Sequence, residues 1–148
     1  MASVEVGQEA PNFTLRNEHN EQVELASLRG GSVVLVFYSA DFSPMCTSEH
    51  CSIRDDYSSF QSAGATVLGI SRDSTWAHNA FKKQEGFTHA LLSDMKGDVA
   101  TLYGCWNADF AIAERLTVVV DPEGIITYVR HNSPIEARDH TEAIAALG

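Results

Sequence analysis

An apolar run that leads through a polar turn into a helical pattern is the feature that most constrains the fold of this chain. Residues 33–38, VVLVFY, are apolar at every position, as a strand buried on both faces requires. Ile53, Tyr57 and Phe60 then recur at intervals of four and three, which is the spacing of one helix face. The stretch therefore predicts a central strand that is followed by a helix over residues 44–63.

Strand and helix patterns alternate along the rest of the chain, with short connections between them. The N-terminal part predicts a hairpin that precedes the main sheet, formed by residues 13–15 and 23–25. Further on, the pattern predicts a strand at 66–70, a helix at 74–85, a strand at 90–92, a helix at 98–103, a β-hairpin of 116–120 and 125–129, and a helix at 137–147. In the helix at 74–85, Ser74 is the predicted cap, and one face contains Trp76, Ala80 and Phe81. This order is typical of an α/β domain with a thioredoxin-like fold, in which helices flank a central mixed sheet, here with an N-terminal β-hairpin extension.

Length and composition predict a single domain over residues 1–148. A chain of this length buries roughly two thirds of its unfolded surface without disulfides or metals. Its 44% apolar and 20% charged residues are ordinary for a soluble protein, and we find no secretory signal and no apolar span of about 18 residues. We therefore expect a cytoplasmic protein whose three cysteines are thiols.

Charge and motif content exclude several classes of partner. The formal net charge is −10 and the ten lysines and arginines are scattered, which argues against a surface for nucleic acid or anionic membrane. The chain has no Gly-rich phosphate loop and no dinucleotide fingerprint. His50 beside Cys51 suggests a metal site with Cys46, but no fourth ligand is suitably spaced. We therefore expect no cofactor and no metal, and reducing power that comes from a thiol partner.

Cys46 lies where the predicted helix begins, and it is the candidate reactive group. Ser43 is a favoured N-cap residue and Pro44 is favoured at the first helical position, which places Cys46 at the third. The unpaired N–H groups and the positive end of the helix dipole stabilise a thiolate relative to a thiol. The position therefore predicts a nucleophilic cysteine.

Five blocks of sequence resemble the peroxiredoxins, in particular the branch of bacterioferritin comigratory protein, or peroxiredoxin Q, and the similar alkyl hydroperoxide reductase E. The blocks cover nearly the whole chain and are Gly7 with residues 10–15, then 34–51, 67–71, 91–94 and 115–124. The resemblance implies a thioredoxin-like fold. It also implies a thiol-dependent peroxidase that reduces hydrogen peroxide and organic hydroperoxides.

The resemblance implies roles for individual residues as well. In this family a hydroxyl residue precedes the peroxidatic cysteine by three positions, as Ser43 precedes Cys46. In this branch a glutamate follows the cysteine by three positions, as Glu49 does. The catalytic arginine opens a strand that ends in aspartate, which fits Arg115 and Asp121.

Peroxide reduction suits these residue types. The Cys46 thiolate attacks one oxygen of the O–O bond while the other leaves as alkoxide or hydroxide, and the cysteine becomes a sulfenic acid. Arg115 stays protonated at any relevant pH, so its guanidinium favours the thiolate and stabilises charge along the breaking bond. The Ser43 hydroxyl can accept from a backbone N–H and orient the peroxide.

Cys51 is the candidate resolving cysteine, because many members of this branch place one five residues after the peroxidatic cysteine. Five residues of intact helix give a rise of about 7.5 Å and a rotation of about 140°, so the two thiols begin on different faces. A disulfide needs Cα atoms within roughly 7 Å and converging Cβ vectors. We therefore predict that a Cys46–Cys51 disulfide requires unwinding of the first turns of the helix.

Simpler interpretations remain open for some of these residues. Cys51 can equally be a packing or solvent-facing residue. Arg115 can equally form an ion pair with Glu114 or Glu49. Cys105 is interpreted as a structural cysteine. Arg138 is a weaker candidate for a second catalytic arginine, and Arg54 is interpreted as a surface residue of the helix.

The chain departs from the family pattern at three places. Ser39 stands where the family has a proline that shields the thiolate, and Ser43 stands where threonine is usual. His89 and Ala90 replace an aromatic residue and a proline, and we expect them to shape that loop less firmly. Two alternatives to a peroxidase follow, a redox sensor or thiol-transfer module, and a peroxiredoxin-like protein recruited to another thiol reaction. The reductant, thioredoxin-like or a low-molecular-weight thiol, and the choice between monomer and homodimer stay open.

Overall fold

The structure, a computed structural model, describes residues 4–133 and 140–147. Its strands are β1 (Thr14–Arg16), β2 (Gln22–Glu24), β3 (Ser32–Phe37), β4 (Ala65–Ser71), β5 (Ala90–Ser93), β6 (Trp106–Asn107), β7 (Ile112–Ala113), β8 (Arg115–Val120) and β9 (Ile126–Asn132). Its α-helices are α1 (Pro44–Asp55), α2 (Tyr57–Ser62), α3 (Thr75–Glu85), α4 (Asp98–Leu102) and α5 (His140–Ala146), and Leu25–Leu28 form a 3₁₀ turn. The predicted alternation of strands and helices is therefore confirmed.

Seven strands form one mixed sheet in the order β2-β1-β5-β4-β3-β8-β9. Strand β3 lies inside the sheet, parallel to β4 and antiparallel to β8, and β4 is parallel to β5. The predicted hairpins are β1–β2 and β8–β9, and β1 joins the sheet beside β5. Because β3, β4 and β5 are parallel, their carboxyl ends meet at one edge of the sheet, where the connection to α1 begins.

The two faces of β3 explain the apolar run from which the fold was predicted. Val33, Leu35 and Phe37 point into the larger apolar cluster, which α4 covers with Val99 and Ala100. Val34 and Val36 point into a second cluster on the opposite face, where the helices contribute their apolar residues, Ile53 from α1, Phe60 from α2 and Ala143 from α5. A strand with a helix layer on each side must be apolar at every position.

The helix predicted over residues 44–63 is two helices. Asp56 separates them with backbone angles of φ −101° and ψ 14°, outside the helical range. The Asp56 carboxylate contacts Nε2 of His140 at the start of α5, with an oxygen-to-nitrogen distance of 2.8 Å. This contact between distant parts of the chain has no signature in local spacing, so the sequence did not predict the break.

Helix α3 agrees with its predicted bounds but presents a different face. The Ser74 hydroxyl accepts from the Ala77 N–H at 3.1 Å, and Gly86 ends the helix in the left-handed conformation. Trp76, predicted on the apolar face, is 84% exposed, whereas Phe81 is buried. The other buried residue of α3 is His78, one turn before Phe81, whereas Ala80, also predicted on the apolar face, is exposed. Of the final helix predicted at 137–147, residues 137–139 lie outside the described part of the chain, as does Arg138.

Candidate active site

Cys46 lies in the first turn of α1, as the sequence predicted. Ser43 has the extended backbone of an N-cap residue, Pro44 is the first helical residue, and the Ser43 carbonyl accepts from the Thr47 N–H at 2.8 Å. The Ser43 hydroxyl donates to the Ala40 carbonyl at 2.9 Å and makes no capping hydrogen bond. The prediction that this hydroxyl accepts a backbone N–H is therefore wrong, because the preceding loop offers it a carbonyl.

The Cys46 side chain is 2% exposed and packs among aromatic and aliphatic groups. Its cluster contains Tyr38 from the end of the β3 strand and Leu91 from β5, together with Phe81 and Phe87. Cys51 is partly buried and packs against the same cluster. Both cysteines are thiols, and an unbroken α1 contains both of them.

Arg115 and Glu49 form a buried ion pair beside the cysteine helix. Arg115 Nε donates to Glu49 Oε1 at 3.1 Å and Nη2 donates to Oε2 at 2.7 Å, so the carboxylate is held in a bidentate contact. Nη1 donates to the Ser133 carbonyl. Cys46 and Glu49 are three positions apart and both belong to the buried side of α1. The Arg115–Glu49 ion pair considered from the sequence is therefore present. It holds the Arg115 guanidinium against α1, one helical turn beyond Cys46.

A pocket of about 550 Å³ opens beside Arg115. Phe37 of β3 pairs with Leu116 of β8, so Ser39, two residues beyond Phe37, lies near the start of β8. The pocket wall includes Ser39 and Arg115 together with Phe110, Ile112, Ala113 and Asn132. The position at which the family has a proline thus lines this pocket with a hydroxyl. The surface of the pocket is mostly apolar, and its wall also includes Glu114 and His131.

Cys51 faces the end of α3. Its Sγ donates to Glu85 Oε1 at 3.4 Å, and burial, followed by this hydrogen bond, raises the pKa of the Cys51 thiol. Arg54, interpreted from the sequence as a surface residue, donates from Nη1 to the Glu85 backbone carbonyl and from Nε to Asp55. Arg54 therefore joins two helices, a role that only their contact in the fold creates.

A buried polar network supports the loop that precedes Cys46, and the sequence did not predict it. The Tyr38 hydroxyl donates to Asp41 Oδ1 at 2.6 Å, and Asp41 Oδ2 lies 2.7 Å from His78 Nδ1. His78 Nε2 lies 2.9 Å from the Leu92 carbonyl, so both ring nitrogens of this buried histidine have an oxygen partner. Burial, with Asp41 next, raises the pKa of Tyr38 well above its usual value.

Three side chains in and beside this network are close enough together to be ligands of a metal ion. One ligand atom each from Asp41, Asp73 and His78 lies within 4.8 Å of the other two. Asp73 Oδ2, however, accepts from the Asp41 N–H at 2.9 Å and from the Ser71 hydroxyl. The three groups thus satisfy one another with hydrogen bonds, and the arrangement fixes the loop. The spacing of His78 and Phe81, three positions apart, could have predicted that His78 lies on the buried face of α3.

His50 and His89 form a second buried pair that the sequence did not predict. His50 Nδ1 lies 2.8 Å from His89 Nε2, and the two rings are stacked with a centroid distance of 5.0 Å. Burial lowers the pKa of His89 to about 3. A Cβ atom on Gly69 would lie 3.0 Å from His50 Cε1, so β4 makes room for this ring with a glycine. His89 is therefore firmly placed, contrary to the expectation of a loosely shaped loop.

Cys105 is fully buried in the larger apolar cluster, which is compatible with the structural role predicted from the sequence. No helix within residues 4–133 or 140–147 is long and apolar enough to cross a membrane.

Comparison with known proteins identifies the family to which this arrangement belongs. The AhpC/TSA family matches residues 6–129. The chain is 41% identical to a putative peroxiredoxin bcp of Coxiella burnetii over 86% of its length and 88% of that protein. It is 39% identical to alkyl hydroperoxide reductase E of Mycobacterium tuberculosis over 96% of its length and 97% of that protein. The chain therefore belongs to the AhpC/TSA family.

Solved structures agree with this assignment. The crystal structure of peroxidoxin BcpB from Mycobacterium tuberculosis superposes with a TM-score of 0.89 at 29% identity, over 96% of this chain and 95% of that one. The thioredoxin-like fold predicted from the sequence is confirmed, as is the resemblance to the peroxiredoxins. The class of enzyme that follows is a thiol-dependent peroxidase.

Proposed function

We propose that Cys46 is the peroxidatic cysteine of this peroxidase and that Ser43, Glu49 and Arg115 assist it. The observation that carries the proposal is the position of the buried Arg115–Glu49 pair, one helical turn beyond a cysteine in the first turn of α1. The helix N-terminus favours a negative sulfur, and the paired guanidinium supplies positive charge to the same region.

In the proposed reaction the Cys46 thiolate attacks one peroxide oxygen and breaks the O–O bond. The distal oxygen leaves as hydroxide or alkoxide and is protonated to water or an alcohol, while Cys46 becomes a sulfenic acid. Arg115 can donate hydrogen bonds to the oxygens as charge develops. Glu49 is a positioning residue, because its bidentate contact fixes the plane of the guanidinium.

We further propose that Cys51 resolves the sulfenic acid by forming an intramolecular disulfide. An intact α1 carries both cysteines, five positions apart, so their side chains leave the helix on different faces. The first turns of α1 therefore have to unwind before the sulfurs can bond. A thioredoxin-like protein or a small thiol then reduces the disulfide.

Three further expectations belong to the same proposal. We infer that residues 1–148 form one domain, which the single seven-stranded sheet supports. We infer a cytoplasmic location from the composition and the free thiols. The chain works as a monomer or a homodimer, which sedimentation of the reduced and oxidised protein would distinguish.

Peroxide consumption by cysteine variants tests the proposal. Native protein should consume hydrogen peroxide with either thioredoxin or dithiothreitol, and Cys46→Ser should be inactive with both. Cys51→Ser should fail with thioredoxin but turn over with dithiothreitol, which can reduce the sulfenic acid directly. Cys105→Ala is the matched control and should keep native activity, because Cys105 lies in the larger apolar cluster and not in the cluster that surrounds Cys46. A Cys46→Ser protein as active as native protein would refute the assignment.

A further inference from the structure

Two residues in the second half of α1 donate hydrogen bonds to Glu85 at the end of α3. The Cys51 thiol donates to its Oε1 at 3.4 Å, and the Arg54 guanidinium donates to its backbone carbonyl. Oε2 of the same carboxylate accepts from the Gln84 side chain at 3.2 Å. Glu85 is the last residue of α3, and its backbone is fixed by the left-handed Gly86 that follows. The carboxylate is therefore held in position facing Cys51.

The charged groups around Cys51 oppose one another, and burial together with the Glu85 hydrogen bond outweighs the effect of Arg54 on the thiol. Arg54 and Asp55 face it from α1 and Glu85 faces it from α3, while the other side of Cys51 packs on the apolar cluster. Arg54 favours the thiolate, whereas Glu85 and Asp55 favour the thiol, and burial favours the thiol most strongly. The net result is a raised pKa for Cys51. Resolution needs the opposite form, since the thiolate is the nucleophile.

We propose that Glu85 is a positioning residue that holds Cys51 in its folded place as a thiol and thereby slows formation of the Cys46–Cys51 disulfide. This inference rests on the proposed resolving role of Cys51. The Cys51 sulfur must leave Glu85 before it can meet Cys46, because the two side chains leave α1 on different faces even though both pack on the same apolar cluster. Release of this contact is thus part of the same local opening that exposes Cys46.

The step that Glu85 controls balances without an additional reagent. Cys51 loses its proton and its sulfur attacks the sulfur of the Cys46 sulfenic acid. The S–O bond breaks, and the departing hydroxide takes up a proton to become water. Cys51 sulfur is oxidised as Cys46 sulfur is reduced, and the peroxide consumed in the first step is the oxidant.

Slow resolution has a chemical consequence for Cys46. A sulfenic acid that waits can react with a second peroxide molecule and become a sulfinic acid. The two fates of the sulfenic acid compete, so the strength of the Glu85 contact sets the fraction of enzyme lost to sulfinic acid at high peroxide. Peroxide sensitivity is therefore the phenotype by which the contact can be recognised.

Glu85→Gln is the test, with Glu123→Gln as its matched control. Both substitutions remove one negative charge, but Glu123 lies exposed in the turn between β8 and β9, away from Cys51. Reduced protein is mixed with one equivalent of hydrogen peroxide, and the loss of peroxide and the appearance of the disulfide are followed separately by quenching and mass analysis. Glu85→Gln should form the disulfide about tenfold faster, because an uncharged amide oxygen accepts from the thiol more weakly than a carboxylate and does not disfavour the thiolate. Peroxide loss should proceed at the native rate.

The pH dependence separates this role from simple loosening of the helix. The rate of Cys51 alkylation by iodoacetamide is measured against pH in Cys46→Ser protein, with and without Glu85→Gln. The pH profile of the double variant should be shifted to lower pH, because the carboxylate that disfavours the Cys51 thiolate is absent. Glu123→Gln should leave this pH profile in place. At high peroxide, Glu85→Gln should contain less sulfinic acid on Cys46 than native protein.

The possible failures are distinguishable. If native protein forms no Cys46–Cys51 disulfide, the proposed resolving role fails and this inference fails with it. If native protein forms the disulfide and Glu85→Gln forms it no faster, or its alkylation profile does not move, only the role of Glu85 is overturned.

Discussion

Both carboxylate oxygens of Glu49 are bound by Arg115, at 3.1 and 2.7 Å, and both side chains are almost completely buried. Removing one charge of such a pair leaves the other buried and uncompensated, which costs about 3–5 kcal/mol. The free guanidinium also loses its fixed orientation beside α1. The pair therefore couples the stability of the fold to the geometry of the proposed reaction.

Glu49→Gln should slow reaction with peroxide by about tenfold or more, since small displacements of a charge-stabilising group have effects of that size. It should also lower the free energy of unfolding. Stopped-flow peroxide consumption and urea unfolding measure the two effects. Glu9→Gln is the control, because it breaks an exposed ion pair with Arg29 and should change neither quantity measurably. Native peroxide kinetics in Glu49→Gln would contradict the positioning role.

The buried His50–His89 pair makes stability depend on pH. Burial lowers the pKa of His89 from 6.5 to about 3, so between these values the unfolded chain binds a proton that the folded chain does not. The free energy of unfolding is therefore unaffected by protonation of His89 above pH 6.5, and it decreases as the pH falls from 6.5 toward 3, because protons bind only to the unfolded chain. Lowering the pH from 7 to 5 should therefore cost about 2 kcal/mol from this group.

His89→Phe should reduce that loss of stability between pH 7 and pH 5, because phenylalanine has no proton to bind. Urea unfolding at the two pH values measures the change, and the difference between them is informative even if the variant is less stable at both. His19→Gln, at an exposed position between β1 and β2, should keep the native difference. An unchanged difference in His89→Phe would show that His89 does not carry this pH dependence.

The Tyr38 hydroxyl supplies one of the hydrogen bonds that hold the Asp41 carboxylate. Tyr38→Phe should destabilise the fold by about 1–3 kcal/mol, because a buried carboxylate loses a donor that water cannot replace. Tyr128→Phe removes a hydroxyl whose hydrogen bond to Glu142 is exposed, and it should cost clearly less. Thermal and urea unfolding of the two variants make the comparison. Equal losses would argue that burial of the network contributes little.

We propose that the pocket beside Arg115, whose described wall does not include Cys46, receives the organic body of a hydroperoxide substrate. Ile112 and Phe110 line it, and one aliphatic side chain in contact with a substrate discriminates by about tenfold or more. Ile112→Ser should lower kcat/KM for cumene hydroperoxide by about that factor and change it little for hydrogen peroxide. Leu102→Ser, an exposed apolar residue of α4, should change neither. A parallel loss for both peroxides would exclude the pocket as a specificity site.

The sequence predicted the features that depend on local periodicity and capping. The buried β3 strand, the Ser74 cap and the position of Cys46 in a first helical turn all follow from neighbouring residues. The partners of Cys51, Asp41 and His50 lie about 30 to 40 positions away and come close only through the order of strands in the sheet. The roles of the histidines were therefore missed, although three of them at the site are buried, His50, His78 and His89.

The interruption at Asp56 divides the helical segment into α1, which must open in the proposed resolving step, and α2, which need not. Helix α1 contains both cysteines, whereas α2 begins afterwards and places Phe60 in the core. Because the helical conformation does not run through Asp56, opening of α1 has no reason to propagate into α2. In the proposed cycle, the unit that opens therefore needs to include no more than the 12 residues of α1. The proposed disulfide could then form through a local rearrangement that leaves the global stability of the protein intact.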